Sequence, residues 1–178
     1  MKHYIVIAEE GDLVGEKKLI ARYLEGAYSN GDWVTPDGIR WQIVVTGVGA
    51  VNVIKALSGL DRDAVLINIG YAGSANYPVG SVAQVDKVCL NHPNCSYPEP
   101  ELYLSPLPDG CLKADCAPVN SLCYSGADFV LQSDYKDCVF DMELAYIAAL
   151  GFKSLSSLKI VSDNLSLHAY REVAAGVE

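Results

Sequence analysis

No stretch of the chain approaches the run of about eighteen apolar residues that a membrane-spanning helix needs. The first apolar run, Tyr4 to Ala8, is stopped by Glu9 and Glu10 and is too short for the core of a secretory signal. A cytoplasmic protein is therefore expected. Basic residues are also scarce: 13 Lys and Arg face 22 Asp and Glu, a net charge of −9. That field repels phosphate backbones and anionic lipid, so neither nucleic acid nor a membrane surface is an expected partner. Charged residues make up only 20% of the chain against 51% hydrophobic ones, which excludes disorder. Phe and Trp are few, at three and two, and Tyr carries the aromatic content with 11. Tyr packs while keeping one polar atom satisfied. With 178 residues and no internal repeat, the chain reads as one domain, 1–178, able to bury roughly 70% of its unfolded surface.

Paired Cys-x2-Cys motifs are missing too. Six cysteines lie at positions 89, 95, 111, 116, 123 and 138. Cys89, His92, Cys95, Cys111 and Cys116 suggest zinc, but their spacing gives no clean tetrahedral set. Reduced, half-buried thiols are the expected state, with no metal and no cofactor.

What is present is an alternation of apolar strands and helices. Tyr4 to Ala8 is a β-branched run, and Leu19, Ile20, Tyr23, Leu24 and Ala27 recur at helical spacing up to Asn30-Gly31-Asp32. Gln42 to Thr46 leads into Gly47-Val48-Gly49 and a helix through Val51, Val53, Ile54 and Leu57. Ala64 to Ile69 meets Gly70-Tyr71-Ala72-Gly73, and Val79 to Leu90 reads as a fourth strand. From Asn91 to Pro118, six of the eight prolines and no period predict a long loop. Structure resumes at Ser121 to Tyr124 and Cys138 to Phe140, then a helix from Met142 to Leu150 and a strand from Leu158 to Ser162. Leu165 to Val177 suits a terminal helix. The pattern predicts an α/β fold of three layers, a mixed, largely parallel central sheet with helices on both faces.

In such sheets ligands sit beyond the carboxyl ends of the strands. Thr46-Gly47-Val48-Gly49 and Gly70-Tyr71-Ala72-Gly73 place exposed amides at helix or loop starts, or else make tight turns that need glycine. A dinucleotide fingerprint fails, because Asn52 stands where the third glycine belongs. Glu143, in Asp141-Met142-Glu143, suits either a helix start or a sugar diol. Ser162-Asp163 suits either an N-cap or a site.

In order and spacing these motifs resemble the purine nucleoside and uridine phosphorylase superfamily, and most of all its 5′-methylthioadenosine/S-adenosylhomocysteine nucleosidase branch. The stretches are Val45 to Asn52, Ile67 to Gly73 with Val79 to Val82, Ser125 to Val130, Asp141 to Ala145, and Val161-Ser162-Asp163. The resemblance implies that Asp163, beside Ser162, protonates or hydrogen-bonds N7 of a departing purine. It implies that Glu143 binds the ribose hydroxyls over Met142, and that Phe129 and the Val130 backbone meet the base. Where the phosphorylases carry a phosphate-holding arginine, this chain has Asn68, and the loop from Glu9 to Val14 has none. Hydrolysis is expected, with Asp12 or Glu10 positioning the water. The alternatives are a phosphorylase using backbone amides and Ser74, a futalosine-type hydrolase, and a degenerate nucleoside-binding member shortened at its C-terminus. A homo-oligomer is implied, most simply a dimer through the helix from Val51 to Leu60 and the loop from Asn91 to Pro118.

Overall fold

The computed structural model describes residues 1–9, 15–90, 101–107, 112–119 and 137–165. Among them run β1 (His3–Ile7), α1 (Lys17–Tyr23), β2 (Ala27–Ser29), β3 (Asp32–Val34), β4 (Arg40–Val45), α2 (Ala50–Leu57) and β5 (Val65–Ser74). Then follow β6 (Val82–Cys89), β7 (Glu101–Tyr103), β8 (Leu112–Pro118), β9 (Cys138–Asp141), α3 (Leu144–Ala149) and β10 (Ser154–Asp163).

Strands β4, β1, β5 and β10 lie side by side and pair parallel. β1 is apolar throughout because it is covered twice. Tyr4 and Val6 join a cluster with Val53 and Leu57 of α2 and Leu144 and Ile147 of α3. Ile5 and Ile7, one step out of phase, join Leu19 and Ile20 of α1. Past β5 the strands return on themselves: β5 pairs β10, β10 pairs β6, β6 pairs β8, β8 pairs β9, and β9 pairs β5 again. The mixed α/β sheet agrees with the sequence pattern; its closure into a ring was no part of that expectation. No described helix is long and apolar enough to cross a membrane.

Three boundaries differ from the sequence reading. The first helix ends at Tyr23, and Asn30 (φ 53°) and Gly31 (φ 87°) turn β2 into β3. Asn-Gly is a strong hairpin signal, and it overrides the helical spacing of Ala27. The proline-rich segment contains β7 and β8, and β8 sits inside the ring. Its buried residues, Ala114, Cys116 and Ala117, are too small to raise a hydrophobic pattern. β10 begins at Ser154, four residues early, and hides Ser156 and Ser157 by pairing rather than by apolarity. The segments expected at Ser121 to Tyr124 and beyond Leu165 lie outside the described residues.

Candidate active site

Four parallel strands end on the same side, and the polar groups that follow them converge there. Asp163 closes β10. A register shift between Val161 and Asp163 breaks the pairing with β5, so that Asp163 stands opposite Gly73. Ser162 Oγ donates to Asp163 Oδ2 at 2.7 Å and lies 3.4 Å from the Ala72 carbonyl. A Cβ on Gly73 would come within 3.1 Å of Asp163 Oδ1, so glycine there lets the carboxylate settle onto the strand.

Glu143 stands at the N-cap of α3, and its Oε1 accepts the Gly49 N–H at 2.9 Å, across 94 positions of sequence. Gly49 is the N-cap of α2 with φ 86°. The carboxylate thus meets the positive end of that helix. Gly47 donates its N–H to the Ala8 carbonyl at the exit of β1. Met142, between Asp141 and Glu143 in sequence, packs partly buried against the apolar cluster that holds Phe140 and Leu165.

Sequence reasoning missed two residues. Glu16, just before α1, is buried; it accepts the N–H groups of Ala8 (2.5 Å), Glu9 (3.2 Å) and Tyr71 (3.4 Å). Lys159 of β10 is buried as well, with Nζ 2.6 Å from Asp141 Oδ2. Asp141 in turn accepts the Leu144 N–H at the start of α3 and the Cys116 thiol at 3.5 Å. Both Glu16 Oε1 and Lys159 Nζ reach the place where a Cβ of Gly70 would lie, at 2.8 and 3.6 Å. The signal for Lys159 was available: a lysine inside the apolar run Leu158 to Val161 must find a charged partner.

The amides of residues 70–73 are not at a loop start. They belong to β5, with Gly70, Tyr71 and Ala72 buried, and the two glycines admit the carboxylates of Glu16 and Asp163 instead. Glu10, Asp12, Phe129 and Val130 lie outside the described residues. So do His92, Cys95 and Cys111 of the zinc reading, while Cys89 and Cys116 are thiols outside any disulfide, buried in different apolar clusters.

Electrostatically, three carboxyl groups share one ammonium. Burial pushes Glu143 up to about 8, helped by the charge of Asp141 and opposed by Lys159 and the Gly49 N–H. Burial also raises Glu16, against Lys159 and three backbone donors. Burial works to lower Lys159, but Asp141 and its other acidic neighbours outweigh it and carry the ammonium up to about 12.

Two positions relevant to phosphate are already engaged. Asn68 is buried, donating to the Val6 carbonyl at 3.2 Å and accepting from Ser157 Oγ at 2.9 Å. Ser74 donates to the Cys138 carbonyl at 3.0 Å and accepts the Tyr77 N–H at 3.2 Å.

No protein-family model matches the sequence, and a search of curated proteins finds no significant relative. Solved structures do match. The 5′-methylthioadenosine/S-adenosylhomocysteine nucleosidase of S. pneumoniae, with the transition-state inhibitor MT-ImmA, aligns over 99% of this chain and 93% of its own at TM-score 0.71 and 19% identity. The enzyme of the same name from Neisseria meningitidis, in complex with methylthio-immucillin-A, aligns over 99% and 94% at TM-score 0.71 and 17% identity. A variant of the Chlamydia trachomatis nucleosidase bound to MTA aligns over 98% and 90% at TM-score 0.67 and 18% identity. At these identities the likeness establishes the fold: this chain aligns over 98–99% of its length with the methylthioadenosine/S-adenosylhomocysteine nucleosidases and shares their fold.

Proposed function

We propose that the protein hydrolyses the N-glycosidic bond of a purine nucleoside of the methylthioadenosine type. The observation that carries this reading is the placement of Asp163, Glu143 and Glu16, with Lys159 near Glu16, toward one end of the parallel strands. The ligands of the structural neighbours, MTA and methylthio-immucillin-A, support the substrate class.

Each group answers one requirement of the chemistry. The bond between C1′ and N9 breaks with its electron pair going to the base, and Asp163 delivers a proton to N7 so that a neutral purine departs. The ribosyl ring becomes cationic. Once ionised, Glu143 accepts the 2′ and 3′ hydroxyls and its charge favours that cation, with Met142 beneath the sugar. Water adds its oxygen to C1′ and loses a proton to Glu16, which the Lys159 ammonium faces. The products are free base and free sugar, with all protons accounted for. Glu16 thus joins Glu10 and Asp12 as a candidate for positioning water, and is the one with a described geometry. Gly70 and Gly73 leave room for Glu16 and Asp163, and the Gly49 N–H holds Glu143. Phe129 and Val130 are assigned to the base by resemblance.

Hydrolysis is favoured over phosphorolysis because Asn68 and Ser74 spend their hydrogen bonds within the protein. Adding phosphate dianion beside three carboxyl groups would be unfavourable. A homodimer through α2 is part of the proposal, supported by Val51 and Ile54, which are 69% and 49% exposed.

The test is base release from methylthioadenosine, adenosine and inosine, with and without phosphate. Free adenine appearing without phosphate is the expected result. Release that requires phosphate would make the protein a phosphorylase, and no release from any nucleoside would overturn the reading.

A further inference from the structure

Among the described residues, Asn30 and Leu165 are the non-glycine residues with positive φ, and Leu165 has φ 66°. Asn30 sits in a hairpin turn that favours it. A leucine holds this backbone only where its surroundings impose it. Here they do. Asn164, the residue before it, donates its Nδ2 to the carbonyls of Ser74 at 2.8 Å and Tyr77 at 3.3 Å, tying the exit of β10 to the end of β5. The Leu165 side chain is then turned inward. It is 7% exposed and packs with Phe140, Val119 and Cys138, with Met142 against the same cluster.

Its position relative to Asp163 is specific. The point where a Cβ of Gly73 would lie is 2.9 Å from Leu165 Cδ2 and 3.1 Å from Asp163 Oδ1. A leucine methyl and an acid oxygen therefore flank one point over the same glycine. A ligand atom approaching that carboxylate edge meets hydrocarbon beside it.

We infer that Leu165 is a positioning residue for Asp163: its isobutyl group forms an apolar wall that holds the carboxyl group in place and keeps water from it while the base departs. Met142 packs against the same apolar cluster. Hydrogen bonds and proton transfers are stronger where water is excluded, so the wall acts on the rate rather than on ground-state binding. The inference rests on the hydrolase reading and assigns a residue that reading does not use.

A double-mutant cycle tests it, with kcat and KM for methylthioadenosine measured in Leu165→Ala, Leu165→Gly and Leu165→Met, each alone and with Asp163→Asn. In the otherwise wild-type protein, Leu165→Ala and Leu165→Gly lower kcat by about tenfold or more while KM moves less than about threefold. Leu165→Met, of similar volume, restores most of the rate. Leu165→Gly relaxes the backbone, so lost activity there is not a consequence of strain. In the Asp163→Asn background the same Leu165 changes have little further effect, because the group they act through is gone. Losses that simply multiply in the double variants, or full activity of Leu165→Ala and Leu165→Gly, overturn the inference alone. A wild-type protein that releases no base from any purine nucleoside overturns the hydrolase reading, and this assignment with it.

Discussion

Lys159 and Asp141 form an ion pair of 2.6 Å whose side chains are only 2% and 1% exposed. Asp141 also receives the Leu144 N–H at the start of α3, so the pair fixes the end of that helix from which Glu143 projects. Structure and site share one electrostatic contact. Its geometry joins β9, β10 and α3, elements the sequence keeps apart.

Removing the ammonium leaves a buried carboxylate without its counter-charge. Lys159→Met is expected to cost about 3–5 kcal/mol of stability, as removal of one partner of a buried pair does. Urea unfolding of the two proteins measures this. A loss below about 1 kcal/mol would mean that the pair is hydrated in solution.

Asp163→Asn preserves shape and keeps an acceptor for Ser162 Oγ, but it cannot deliver a proton. Turnover is expected to fall about 10²–10⁴-fold with the melting temperature nearly unchanged. Full activity in this variant would remove Asp163 from the chemistry.

Glu143 gives a pH dependence of definite sign. Its carboxyl titrates near 8 in the folded protein against 4.5 for an ordinary glutamate. Between those values the unfolded chain releases a proton that the folded chain keeps, so this group's contribution to stability declines as pH rises through that window. Sugar hydroxyls donate best to the ionised form, so nucleoside affinity is expected to increase from pH 6 toward pH 8 in the same window. Glu143→Gln should flatten both trends. Calorimetric binding and melting curves across that range check the pair of slopes.

Glu16→Gln retains one oxygen for the Ala8 and Glu9 amides, gives up the acceptor for the Tyr71 N–H and loses the base. Base release should drop by about 10²–10⁴-fold while an unreactive nucleoside analogue still binds. Wild-type turnover in the variant would return the water-positioning role to Glu10 or Asp12.

Replacing Val51 and Ile54 together by Glu alters the exposed side of α2, away from the buried Val53 and Leu57. The expected outcome is a folded monomer by light scattering beside a dimeric parent. A parent that is itself monomeric at micromolar concentration would end the dimer proposal.

The sequence by itself determined the parallel strands and the position of two acids directly after them. β1 and the core of β5 are continuous apolar runs because both of their faces are covered, and period and length suffice to recognise them. Glu143 and Asp163 follow strands closely, so their place at the carboxyl ends was legible. The tertiary structure alone decided the ring of strands, the roles of Gly70 and Gly73, and the meeting of Glu16 with Lys159. Those depend on contacts between residues distant in sequence, such as Glu16 with Tyr71, 55 positions on, and near Lys159, 143 positions on. β8, built on small residues, gives no local signal of its central position. Hydrophobic periodicity reports whether a strand is buried, but not which strands lie beside it. The depth of a charged side chain is set by those neighbours, so the burial of Glu16 became visible only when the sheet closed, and the apolar run around Lys159 signalled a buried ammonium without naming its partner.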